Sequence, residues 1–250
     1  MKHNFLDKYS HLGSPVHRLD PRIKISAALA AIVIITTEPV SGRLMHFAIY
    51  SVIILAIAGL SKIPFRYLLK RMLILSPFIL MAALFYPVSQ MQVREVSLNS
   101  GWRSLAEVGL SVFLRASLAL LILLLLSSTE KFHRLLRAIR GLKIPAIVTT
   151  ISALLYRYIF LLSDEWLKTA RARDSRTPGV LRSNRLKVYG NQVAVVFYRS
   201  WERSQVIYKS MLSRGFDGEF PDTQEMKLRD SDIVFSLLFI GSLLAIKLIL

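Results

Sequence analysis

Apolar residues come in long runs along much of this chain, and the runs alternate with short basic stretches. Five runs have the length and composition of membrane spans: Ile25–Val40, Leu44–Leu60, Leu68–Val88, Val108–Ser128 and Ile233–Leu250. The first two are short and are joined by "TEPVSG", a turn signal. A sixth run, Pro145–Leu162, is long enough to be a candidate. The pattern predicts an all-α polytopic membrane protein with about five transmembrane helices.

Residues 129–232 have their own punctuation. A first helix is predicted from about Glu130 to Leu142, with Thr129 as N-cap. Pro145 opens a second, which continues to about Arg176 and stops at "TPG" (177–179). A third runs from about Arg185 to Arg214, capped by Ser183 or Asn184 and stopped by Gly215, with Gly190 as a weak point. The second and third are each roughly 45 Å long. Two such rods joined by a tight connection run past each other, antiparallel or crossed, and their C-terminal ends lie far apart. The expected organisation is a four-span bundle over 1–128, a three-helix module over 129–232 and a last transmembrane helix over 233–250.

Charge orients the spans. Residues 1–24 carry Lys2, Lys8, Arg18, Arg22 and Lys24, whereas the next loop carries only Arg43. The loop 61–71 carries Lys62, Arg66, Lys70 and Arg71, and the loop 89–107 only Arg94 and Arg103. Residues 129–144 are basic again, with Lys131, Arg134, Arg137, Arg140 and Lys143. Cytoplasmic loops carry the excess of Lys and Arg, so the N-terminus is expected in the cytoplasm. Residues 163–232 hold thirteen more basic side chains. If Pro145–Leu162 crossed, that region would lie outside. The module 129–232 is therefore expected to be cytoplasmic, with 145–162 in or against the membrane interface. Six spans remain the alternative.

The net charge of +17 would also suit a nucleic-acid binder, but it is already accounted for by basic loops between spans, so no nucleic acid is expected. The chain has no Cys, which excludes disulfides and thiolate chemistry. It has no GxxxxGK[ST], HExxH or GxSxG sequence, and its five His residues are scattered. A polytopic membrane enzyme is the rival class. It would need clustered Asp or His at a membrane face, and the chain offers only Asp164-Glu165. Arg115 lies inside the fourth span. An intramembrane charge is a functional candidate by default. The alternatives are snorkelling to the headgroups or pairing with Glu38 or Glu107.

The ends of the two long helices carry a more specific pattern. "KTARARDSR" (168–176) ends the second and "KSMLSRG" (209–215) the third. Each reads cation, spacer, small residue, arginine, turn former. Arginine suits bidentate pairing with a carboxylate on another chain. A solvated basic end at the lipid headgroups is the alternative.

Three motifs carry a family resemblance over essentially the whole chain. "RLDPRIKI" (18–25), with Asp20, Pro21 and Arg22, resembles the N-terminal signature of the transmembrane T components of energy-coupling factor (ECF) transporters. "LLYRYIFLLSDEW" (154–166) and "SMLSRGFDGEFP" (210–221) are most similar to the cobalt-type, CbiQ-like branch. The resemblance implies a scaffold in a bacterial or archaeal cytoplasmic membrane. It implies as partners two cytoplasmic ABC ATPases and a membrane substrate-binding subunit, which binds the metal in the cobalt branch. It also implies no cofactor in this chain, since ATP is bound by the partners. The motifs that dock the ATPases fall on Ala172-Arg173-Asp174 and Ser213-Arg214-Gly215. Asp174 stands where the family pattern has Gly, and Ser213 where it has Ala. Ala170-Arg171-Ala172 is a competing placement of the first motif. Cobalt is the expected substrate, with nickel or a vitamin as the alternative.

Overall fold

A computed structural model describes residues 13–38, 44–93, 101–142, 144–176, 185–220 and 230–249. Among them the chain is all-α. It divides into two compact units, one of residues 2–138 with 226–250 and the other of residues 139–225.

The larger unit begins with α1 (Pro15–Arg18) and α2 (Pro21–Thr36). Asp20 caps α2, its carboxylate accepting the Arg22 N–H at 2.8 Å, and Pro21 fills the first helical position. α3 (Leu44–Leu60), α4 (Phe65–Val93), α5 (Gly101–Thr129) and α9 (Asp230–Ile249) complete the bundle. α2 packs on α5 and α9, α3 packs on α5, and α4 lies along α5. The core is built from Ala28, Ala31, Ile34 and Ile35 of α2, Tyr50, Ile54 and Ala58 of α3, Leu118, Leu121, Ile122, Leu124 and Leu125 of α5, and Leu243 of α9. The alanines let the neighbouring helices approach closely.

At about 1.5 Å per residue, α2 and α3 are roughly 25 Å long, shorter than a hydrocarbon core of about 30 Å. α4 runs through two prolines. Pro77 has no N–H for the Leu73 carbonyl, and the Ser76 hydroxyl donates to that carbonyl instead, at 2.9 Å. Gly109 makes the α4–α5 approach possible, since a Cβ there would lie 3.0 Å from the Ala83 carbonyl oxygen and 3.6 Å from the Pro87 ring.

Two sequence expectations change in this unit. Thr129 does not cap the next helix. It ends α5, its hydroxyl donating to Leu126 O at 3.2 Å, because the helix of the leucine-rich run takes in Thr129, one residue beyond the expected Ser128. The next helix, α6 (Phe132–Gly141), instead opens with the Lys131 carbonyl accepting from Arg134 and Leu135. Arg115 pairs with neither Glu38 nor Glu107. Glu38 accepts a hydrogen bond from Tyr50 at 2.8 Å, while the Arg115 guanidinium carbon lies 5.7 Å from the Phe47 ring centroid.

The smaller unit holds α7 (Ala146–Arg176) and α8 (Arg185–Leu212). Both match the two long helices expected from the sequence, and α8 continues through Gly190. The "TPG" stop and the Ser183 or Asn184 cap lie outside the described residues. Among the described residues, four helices are long and apolar enough to cross a membrane: 65–87, 106–129, 146–176 and 230–248. α7 is thus one of them, although its second half carries the basic "KTARARDSR" end.

Candidate functional site

α7 and α8 are antiparallel, and polar contacts fix their register at two levels. Near the C-terminus of α7, Arg173 donates to Gln192 Oε1 at 2.6 Å and stacks on Tyr189, 4.5 Å from the ring centroid. Gln192 in turn donates to the Trp166 carbonyl at 3.4 Å. Further along, Glu165 accepts from Arg199 at 2.8 Å, with Arg203 4.0 Å from its other oxygen. Beyond that level a cleft of about 440 Å³ opens between the helices, lined by Leu154 and Tyr158 on one side and Tyr208 and Met211 on the other. The C-terminal end of α8 therefore lies beside the N-terminal half of α7. From Tyr189 to Leu212 is roughly 35 Å along α8, so the two arginine-bearing ends lie about that far apart.

The two ends differ in what their arginines do. Arg173 is committed within the chain. Besides Gln192 and Tyr189 it donates from Nε and Nη2 to Asp174 Oδ1, at 2.9 and 2.7 Å, and its side chain is only 20% exposed. Asp174, the residue that departs from the family pattern, is thus its ion-pair partner. Ala172 is exposed, as is Arg171 of the competing placement, whose Nε donates to the Leu167 carbonyl at 3.2 Å.

Arg214 is the opposite case. The Phe216 N–H donates to the Met211 carbonyl and the Gly215 N–H to the Leu212 carbonyl, each at 3.0 Å. That is the Schellman pattern, with Gly215 in the left-handed region at φ 79°. Arg214 occupies the last position of the turn. Its side chain is exposed and has no hydrogen-bond or ion-pair partner among the described residues. Ser213 is exposed too, its hydroxyl turned back onto the Ser210 carbonyl at 3.0 Å.

The chain then folds back on itself. Phe216 and Phe220 pack ring to ring at 5.3 Å, and Asp217 accepts the Glu219 N–H at 3.2 Å. Arg140, at the end of α6, donates to Glu219 Oε2 at 2.7 Å and to the Phe220 carbonyl at 3.0 Å. Sequence reading missed Arg140. Its only signal was one more cation on a basic helix, with no local feature to single it out.

In the larger unit the "RLDPRIKI" residues have a structural explanation. Asp20 caps, Pro21 is fully buried, and Lys24, one turn into α2, forms a buried ion pair with Glu130. Lys24 and Glu130 were not singled out in the sequence either. A lysine at the mouth of an apolar run looks like an ordinary flanking charge. Among the described residues, no group of three or more His, Asp or Glu side chains is placed to hold a metal ion.

Comparison with known proteins gives the same reading. The cobalt transport protein family CbiQ matches residues 13–226. The energy-coupling factor transporter transmembrane protein EcfT of Bacillus subtilis is 24% identical over 96% of both chains. The EcfT of Streptococcus thermophilus is 25% identical over 92% of both. A putative fused cobalt transport protein, CbiMQ, of Methanocorpusculum labreanum is 29% identical over 37% of this chain and 16% of its own length. With a capped N-terminal motif, apolar helices long enough to span a bilayer and an antiparallel arginine-ended helix pair, the chain belongs to the CbiQ family of cobalt transport proteins, as a multi-pass T component of the ECF type.

Proposed function

We propose that this T component carries cobalt transport by linking two cytoplasmic ABC ATPases, which bind and hydrolyse ATP, to a membrane subunit that binds the metal. Cobalt rests on the family's description and on the fused cobalt transport relative. The observation that carries the coupling role is the antiparallel α7–α8 pair, with arginines roughly 35 Å apart at its opposite ends. One chain can thereby meet two separate partners. Arg214 is the freer end, an exposed guanidinium on a rigid helix cap and suited to a carboxylate fork. Ala172 and Arg173 form the other. There the guanidinium is held by Asp174, so docking at this end uses a surface already ordered within the chain. The excess of Lys and Arg in 129–232 and in the N-terminal stretch supports a cytoplasmic side for both.

The test is co-purification of the tagged chain from native membranes, followed by cobalt uptake with and without it. Two ATPase copies per chain and cobalt uptake that depends on the chain are the expected results. A chain that purifies without any ATPase overturns the coupling role. Uptake of nickel or a vitamin in place of cobalt overturns only the substrate.

A further inference from the structure

We propose that Arg140 is a positioning residue for Arg214, an inference that rests on the docking role just given. Arg214 sits on a cap, and a cap fixes backbone direction only if the chain beyond it is held. Here the return segment is held at its far end. Arg140 contacts it through both terminal nitrogens, Nη2 to the Glu219 carboxylate at 2.7 Å and Nη1 to the Phe220 carbonyl at 3.0 Å. Between cap and clamp the segment has little freedom left. Gly215 and Gly218 take left-handed conformations, at φ 79° and 102°, Asp217 closes a turn onto Glu219, and Phe216 packs on Phe220. The loop is therefore closed at both ends, by the cap at Gly215 and by Arg140 at Phe220. Released from Arg140, it keeps the cap but loses its anchor, and the direction of Arg214 is set by the cap alone. A lysine cannot replace the arginine fully, because one ammonium does not reproduce a planar fork aimed at two acceptors.

The clamp is half-exposed, with side chains 34% and 53% accessible, so its effect is smaller than that of the docking arginine itself. Arg140→Ala and Glu219→Gln are each expected to weaken ATPase capture by about three- to fivefold. Arg140→Lys falls between them and the wild type. The reversal Arg140→Glu with Glu219→Arg restores part of the loss. The experiment uses the full-length protein and reads two quantities in each variant: amide hydrogen exchange over residues 216–220, and capture of the co-expressed ATPases. Arg214→Ala is run beside them. Faster exchange together with weaker capture in the Arg140 and Glu219 variants is the expected result. Unchanged exchange overturns the clamp. Faster exchange with wild-type capture, while Arg214→Ala loses capture, overturns the positioning role and leaves docking intact. If Arg214→Ala also captures normally, the docking role fails and the positioning role fails with it.

Discussion

Lys24 and Glu130 are joined by a buried ion pair although 106 residues separate them in the chain. Their side chains are 6% and 0% exposed, and Arg134 lies 3.6 Å from the second carboxylate oxygen. The contact ties the first turn of α2 to the junction of α5 and α6. It gives the lysine of "RLDPRIKI" a structural purpose.

Removing one partner leaves the other charge buried alone. Lys24→Ala or Glu130→Ala is therefore expected to cost about 3–5 kcal/mol. Replacing both by Met is expected to cost less than either single change, since no lone charge remains. Thermal unfolding in detergent measures this. Single variants within about 1 kcal/mol of wild type would show that the pair adds little.

Arg214→Ala is expected to abolish coupled uptake while the protein still inserts and folds. Truncating one partner of a hydrogen-bonded charge pair costs about 2–5 kcal/mol, or roughly 30- to several-thousand-fold in affinity. Arg214→Lys rescues only in part. Lys187→Ala, an exposed cation near the start of α8, is the silent control. Wild-type ATPase capture and uptake in Arg214→Ala would reduce the end of "KSMLSRG" to a helix cap.

Arg173 has a different expected phenotype. Its hydrogen bond to Gln192 and its stacking on Tyr189 hold α7 to the start of α8. Arg173→Ala should loosen that contact by about 1–3 kcal/mol and speed amide exchange over 186–192, with no ATPase present. Arg214→Ala should leave the same amides unchanged. Equal exchange in the two variants would contradict the division of labour between the ends.

Topology has its own test. The thirteen basic residues of 163–232 predict a cytoplasmic location. A cysteine placed at Ser183 is expected to resist a membrane-impermeant thiol reagent in intact cells. Strong labelling would place a sixth crossing at α7.

Local chemistry was legible in the sequence, and long-range pairing was not. Gly215 announced the end of α8, because a left-handed stop depends on a few adjacent residues. The lengths of α7 and α8, and hence the separation of their ends, followed from the same punctuation. The Lys24–Glu130 pair, the Arg140 clamp and the Gln192–Arg173 contact join residues from different elements, where periodicity carries no information. Thr129 misled because it has the right residue type for a cap but follows a leucine run strong enough to continue.

The opposed directions of α7 and α8 carry a consequence for symmetry. Two similar rods laid head to tail are related, approximately, by a half-turn about an axis between them, and the Glu165–Arg199 contact falls near the middle of α8. The half-turn exchanges one C-terminus for the other, and with it one negative helix pole with its nearby arginine for the other. A single chain can thus present equivalent poles to a two-fold pair of subunits. The inequality between Arg173, held by Asp174, and Arg214, which is exposed, is where that equivalence breaks, so two identical partners would be gripped unequally.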